Sequence, residues 1–109
     1  MKKLKSLWFY IIQSTMQSTQ VKKSPNLINQ YVGQWKFKDQ TQSVRGLQVS
    51  KVLNVMIDDY PLETKIKSIN STKLSLIDRY GFLINIYSKN RKPSSIFDES
   101  VGKTYRLYQ

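Results

Sequence analysis

The 109-residue chain contains no cysteine and no histidine. Those two absences remove disulfide frameworks, thiol nucleophiles, thiolate zinc sites and the commonest general base at once. Catalysis would have to rest on carboxylates, Lys, Tyr or Ser, so an enzyme is not expected. Acids are also scarce, with 7 Asp and Glu against 18 Lys and Arg and a formal charge of +11. A calcium site needs six or more oxygens, and no spacing of the acids assembles them. Neither a metal nor another cofactor is expected. With four Gly and three Pro, collagen-like and low-complexity readings fall away. The uninterrupted apolar run Leu7 to Ile12 is far short of the roughly 20 residues that cross a bilayer.

What is present suits one small folded domain. The chain is 39% hydrophobic and 23% charged, and seven Tyr, four Phe and two Trp supply large apolar faces. The positive charge favours an anionic partner such as nucleic acid, anionic lipid or a wall polymer. It is equally what a solvated surface carries, because the basic residues are scattered from Lys2 to Arg106. The lack of cysteine leaves the redox compartment open.

Three segments follow from the patterning. Residues 1–16 read as a basic amphipathic helix, with Leu4, Leu7, Trp8 and Ile11 on one face and Lys2, Lys3, Ser6 and Gln13 largely opposite. Three roles compete for it: an atypical signal peptide, an anchor lying in a headgroup layer, or a helix docked on the domain. No Ala-x-Ala-like site follows the apolar run, which favours a cytoplasmic or peripheral-membrane location over secretion. As an anchor, the segment would contact the membrane through Leu4, Leu7, Trp8 and Ile11. Residues 17–30 form a polar linker ending in a short helical turn at Pro25 to Gln30, with Ser24 as cap and Pro25 in the first helical position.

Residues 31–109 read as an antiparallel β domain. In Tyr31 to Lys38 the period becomes two, with Tyr31, Gly33, Trp35 and Phe37 on one face and Gln34, Lys36 and Lys38 on the other. Further strands are expected from Leu47 to Val49, Val52 to Ile57, Glu63 to Ile69, Lys73 to Asp78, Phe82 to Ser88 and Thr104 to Tyr108. Asp58-Asp59-Tyr60-Pro61 reads as a turn and Lys89 to Ser95 as a loop. Links this short forbid parallel crossovers, so an up-and-down meander barrel or half-barrel is expected.

Gly33-x-Trp35 resembles the opening Gly-x-Trp of lipocalin-like barrels, where the Trp closes one end. A wider set of motifs runs through the domain: Tyr31-x-Gly33-x-Trp35, Val55-x-Ile57-Asp58, Leu76-x-Asp78-Arg79-Tyr80-Gly81-Phe82, and Phe97-Asp98-Glu99 followed by Thr104-Tyr105. It resembles a family of small domains of unknown function found mainly in lactic-acid bacteria and their Gram-positive relatives. That family's pattern has an acidic run after the Asp-Glu, where Ser100-Val101-Gly102 stands here. The resemblance implies a small β barrel or half-barrel and carries no established activity, so it transfers no functional residue.

The expected function is therefore non-enzymatic binding. A barrel mouth would take an apolar or amphipathic ligand against Tyr31, Trp35 and Phe37. An anionic surface would meet Lys36, Lys38, Lys65, Lys67, Lys89, Arg91 and Lys92, the first four forming one outer stripe if their strands lie together. The alternative is single-stranded nucleic acid held by the same lysines with stacking on Tyr87 or Tyr108. No RNP, KH or helix-turn-helix signature accompanies it. The acid pairs Asp58-Asp59 and Asp98-Glu99 read as turn residues.

Overall fold

The computed structural model describes residues 25–109. The expected helix at 1–16 lies outside them. The described part opens with α1, Pro25–Asn29, a single turn whose first residue needs no amide partner and has its φ preset by the pyrrolidine ring. Nine strands follow: β1 (Gly33–Lys38), β2 (Val44–Val49), β3 (Val55–Ile57), β4 (Tyr60–Leu62), β5 (Thr64–Ile69), β6 (Lys73–Asp78), β7 (Leu83–Lys89), β8 (Lys92–Asp98) and β9 (Lys103–Arg106).

Every strand pairs antiparallel with its neighbour in the chain, in one sheet of order β1-β2-β3-β4 and another of order β5-β6-β7-β8-β9. The meander is as expected. The closed barrel is not: among the described residues the two sheets meet along two seams without a continuous ladder. At one seam only Glu63 separates β4 from β5, so a single downward pass pairs with β3 in its first half and β6 in its second. A strand that changes sheets in this way turns a barrel corner without closing it. At the other seam, the Lys36 N–H donates to the Tyr108 carbonyl at 2.7 Å and the Tyr108 N–H donates back at 2.9 Å.

Both sheets turn their apolar faces to one core. Trp35 and Phe37 of β1 and Leu47 and Val49 of β2 meet Leu74 and Leu76 of β6, Ile84 and Ile86 of β7, Ile96 of β8, and Leu107. One end of this core is capped. Tyr31 there is fully buried, and its hydroxyl donates to the Asn70 carbonyl at 2.6 Å. Gln30 ties α1 to the same end by donating to the Ser71 carbonyl and the Ser88 hydroxyl. The opposite face of the five-stranded sheet is also covered at its centre, where the cross-strand pair Ser75 and Asn85 is 4% and 7% exposed. Asn85 donates to the Tyr87 hydroxyl, while its Oδ1 has no hydrogen-bond partner.

Two elements depart from the sequence reading, and a proline lies in each. The expected turn at Tyr60-Pro61 is strand β4, where Pro61 stands opposite Met56 on the edge of its sheet and owes no outward amide. The expected loop over 89–95 is largely strand β8, where Pro93 pairs with Ser88 beside a register shift. The turn there narrows to Asn90 and Arg91, both with positive φ.

Gly33 is held by the ring that follows it. Its φ is +150°, and a Cβ added there would lie 2.9 Å from Cη2 of Trp35. Gly33→Ala is expected to cost about 1–3 kcal/mol through overpacking and backbone strain, read as a lower urea midpoint with an unchanged slope.

Candidate ligand-binding cleft

The end opposite α1 is not capped. There the core-facing side of both sheets opens into a cleft of about 480 Å³, within the size range of small-molecule sites. Its floor is apolar: Phe37 from β1, Ile57 from β3, Leu62 from β4, Ile84 from β7 and Ile96 from β8. Phe37, Ile57 and Ile84 are the inward residues nearest the cleft-end turns on their strands, and Leu62 and Ile96 stand one inward step further in, so the period-two pattern that builds the core also lines the cleft. Its rim carries Asp39, Arg45, Glu63, Asp78, Arg79 and Asp98. Tyr105 leans over the floor with its ring centroid 5.3 Å from that of Phe37, and its hydroxyl donates to Oε1 of Gln40 at 2.8 Å.

The rim is rigid on the β1–β2 side. Arg45 is opposite Phe37 in the β1–β2 register and therefore emerges on the cleft side. Its Nε donates to Asp39 Oδ2 at 2.8 Å and its Nη1 to Asp58 Oδ2 at 2.9 Å. Asp39 uses its other oxygen to accept from Thr41 N–H, the Thr41 hydroxyl and Ser43 N–H. Asp58 accepts from Gly46 N–H at 2.7 Å. Hydrogen bonds to the ionised form hold both carboxyls below the usual range. For Asp39 the Thr41 and Arg45 bonds are the cause, and for Asp58 the Gly46 amide followed by Arg45. The two acids in turn raise the Arg45 guanidinium.

The far side of the rim is looser. Arg79 lies 3.7 Å from Glu63 with both side chains well exposed, and its guanidinium sits 5.4 Å from the Tyr80 ring centroid. Burial, reinforced by the charges of Asp98 and Asp39, pushes the Tyr105 phenol up, so it remains a neutral donor. No group of three or more metal-ligating side chains occurs among the described residues.

The sequence-predicted site residues separate. Of the three aromatics assigned to the mouth, Phe37 lines the cleft. Tyr31 is buried at the capped end, and Trp35 is core, at the level of Leu47. Lys36 and Lys38 lie on the outer face of β1, and Lys65 and Lys67 on β5 of the other sheet. Those strands are not neighbours, so the four lysines form no common stripe. Lys89, Arg91 and Lys92 mark the β7–β8 turn at the capped end. Leu4, Leu7, Trp8 and Ile11 lie outside the described residues. Sequence reasoning missed Ile57, Leu62, Ile84, Ile96 and Tyr105 as cleft residues. The available signal was that each is the first or second inward position from a turn at one end of the meander.

Set against known families, residues 30–107 match the model of a domain of unknown function, DUF4828. The chain belongs to the DUF4828 family. The match covers both sheets and every cleft residue named above. No curated protein and no solved structure matches the chain, so the chemistry of this DUF4828 domain has to be read from its own residues.

Asp39→Asn separates the two jobs of that carboxyl, because an amide oxygen still accepts the turn bonds but cannot pair with Arg45. A carboxyl depressed by folding adds stability above its unfolded pKa and loses it as pH falls through the folded one. The variant is therefore expected to show a lower urea midpoint than wild type at pH 7. The gap should begin to close as pH drops below about 4, where the unfolded wild-type chain takes up a proton that the folded carboxyl still resists.

Proposed function

We propose that the domain is a non-enzymatic binding module that takes an apolar or amphipathic ligand in the open cleft. The observation that carries this reading is the pairing of an apolar floor with a charged rim in a cavity of about 480 Å³. A ligand with a hydrocarbon body would replace water over the half-buried Ile57, Leu62 and Tyr105, above the buried Phe37, Ile84 and Ile96, and its polar head would meet Asp and Arg side chains of both signs. The lipocalin-like resemblance supports the same mode, as does the meander, which leaves one end of a barrel-like core accessible. Enzymatic chemistry has little to draw on here. Asp39 is committed to Arg45, and Asp78 and Asp98 each spend an oxygen on turn amides.

A floor of this kind rewards hydrocarbon. Each methylene removed from water contributes about 0.8 kcal/mol, or roughly a fourfold gain in affinity. In a titration with single-chain amphiphiles of increasing length below their micelle concentrations, affinity is expected to rise by about that factor per added methylene and to level off once the floor is covered. Affinity independent of chain length would contradict the proposal. So would an unchanged dependence after Val101→Asp, which places a charge at the exposed lip of the cleft.

A further inference from the structure

The acids of this domain are segregated to one end, and turn geometry does not require it. All seven acids of the chain, Asp39, Asp58, Asp59, Glu63, Asp78, Asp98 and Glu99, lie in or beside the links at the cleft end. The links at the capped end carry none. The same turn devices occur at both ends. An Oδ1 accepts the amide two residues on in Asp39, Asp78 and Asp98 at the cleft end and in Asn70 at the capped end. A two-residue hairpin with positive φ at both positions is Asp58-Asp59 at the cleft end and Asn90-Arg91 at the capped end. Asp and Asn serve either device equally well, so the charge difference is additional to the fold.

Basic residues occur at both ends, with Lys38, Arg79 and Lys103 in or beside the cleft-end turns, but only at the capped end do they stand without acids. Lys51, Lys73, Lys89, Arg91, Lys92 and Arg106 stand in its turns or on the strand residues next to them. Lys89, Lys92 and Arg106 line one groove that contains no acid. The seven-residue strands β7 and β8 put Lys89 and Lys92 about 20 Å from the acids of the opposite turns, more than two Debye lengths at physiological ionic strength. Those two lysines are therefore screened from the acids, while Arg106 stands three residues along β9 from the Asp98–Lys103 row. The chain also enters at this pole. Gln30 is fixed to Ser71 and Ser88, and in the sequence Lys22, Lys23 and a Lys-rich stretch with the apolar run Leu7 to Ile12 precede α1.

We infer that the capped end is a membrane-facing pole that docks on anionic phospholipid, leaving the cleft pointed away from the bilayer. Lipid is favoured over nucleic acid because a headgroup layer accommodates both the basic groove and a Trp- and Lys-containing apolar segment attached beside it. The inference does not depend on what the cleft holds.

The test uses the full chain and co-sedimentation with vesicles of zwitterionic phospholipid, with and without anionic phospholipid. Two triple variants remove equal charge: Lys89→Gln, Lys92→Gln and Arg106→Gln at the pole, and Lys36→Gln, Lys38→Gln and Lys103→Gln elsewhere. Each basic residue near an anionic surface contributes about fivefold in binding. The pole triple is expected to lose about a hundredfold in binding to anionic vesicles, and the other triple less than about tenfold. Equal losses from both triples would overturn the inference, because net charge alone would then suffice. Wild-type binding that ignores anionic lipid would also overturn it, as would a difference between the triples seen only with a single-stranded oligonucleotide. Amphiphile affinity measured on the same variants stays unchanged if the two ends act independently, so failure at the cleft is distinguishable from failure at the pole.

Discussion

Two backbone hydrogen bonds between Lys36 and Tyr108 close a seam on which the rest of the architecture depends. They hold the start of the four-stranded sheet against the end of the five-stranded sheet, while chain continuity through Glu63 holds the other side. Between these seams the inward side chains of both sheets share one core. Residues of both sheets line the cleft, which is the space between them at one end. The buried Tyr31, tied to Asn70, closes the other end.

The seams also explain which residues acquire functional character. Inward positions near the capped end are fully covered, as in Val55, Leu74 and Ile86. Ile57, one inward step closer to the opposite turns than Val55, is half-buried and faces the cleft, as does Tyr105, which shares a row with Leu74, Ile86 and Ile96 but lies on edge strand β9. Arg45 follows the same rule. It occupies an inward position at the open end, where a guanidinium reaches solvent and two carboxylates fix its direction. On the rim, Arg45, Asp78 and Asp98 continue the strand pattern, while Asp39, Glu63 and Arg79 stand in the links.

Much of the fold was legible from periodicity. The alternation from Gly33 to Phe37 identifies the first strand and its buried face, and turn residues at regular intervals identify a meander. The parts that were not legible depend on long-range geometry. Pro61 and Pro93 read as strand breakers because a single sequence does not show which strand is an edge or where the register shifts. The two seams are invisible for the same reason, so the expected barrel proves open. Of the expected mouth, Phe37 is the part the structure places there. The alternation puts Tyr31, Trp35 and Phe37 on one face, but only the direction of the chain relative to the capped end decides which of them lines an opening. The lysine pairs show the converse case, since local spacing places Lys36 with Lys38 and Lys65 with Lys67, while the sheet order keeps the two pairs apart.

The proposed ligand site is the space between the two sheets at the open end. Isotope-filtered nuclear Overhauser spectroscopy on the labelled protein with an unlabelled single-chain amphiphile tests it most directly. Contacts from the hydrocarbon chain to Phe37, Ile84, Ile96 and Tyr105 are the expected result. Saturable binding with contacts confined to the outer faces of the sheets, and none to those four residues, would contradict it.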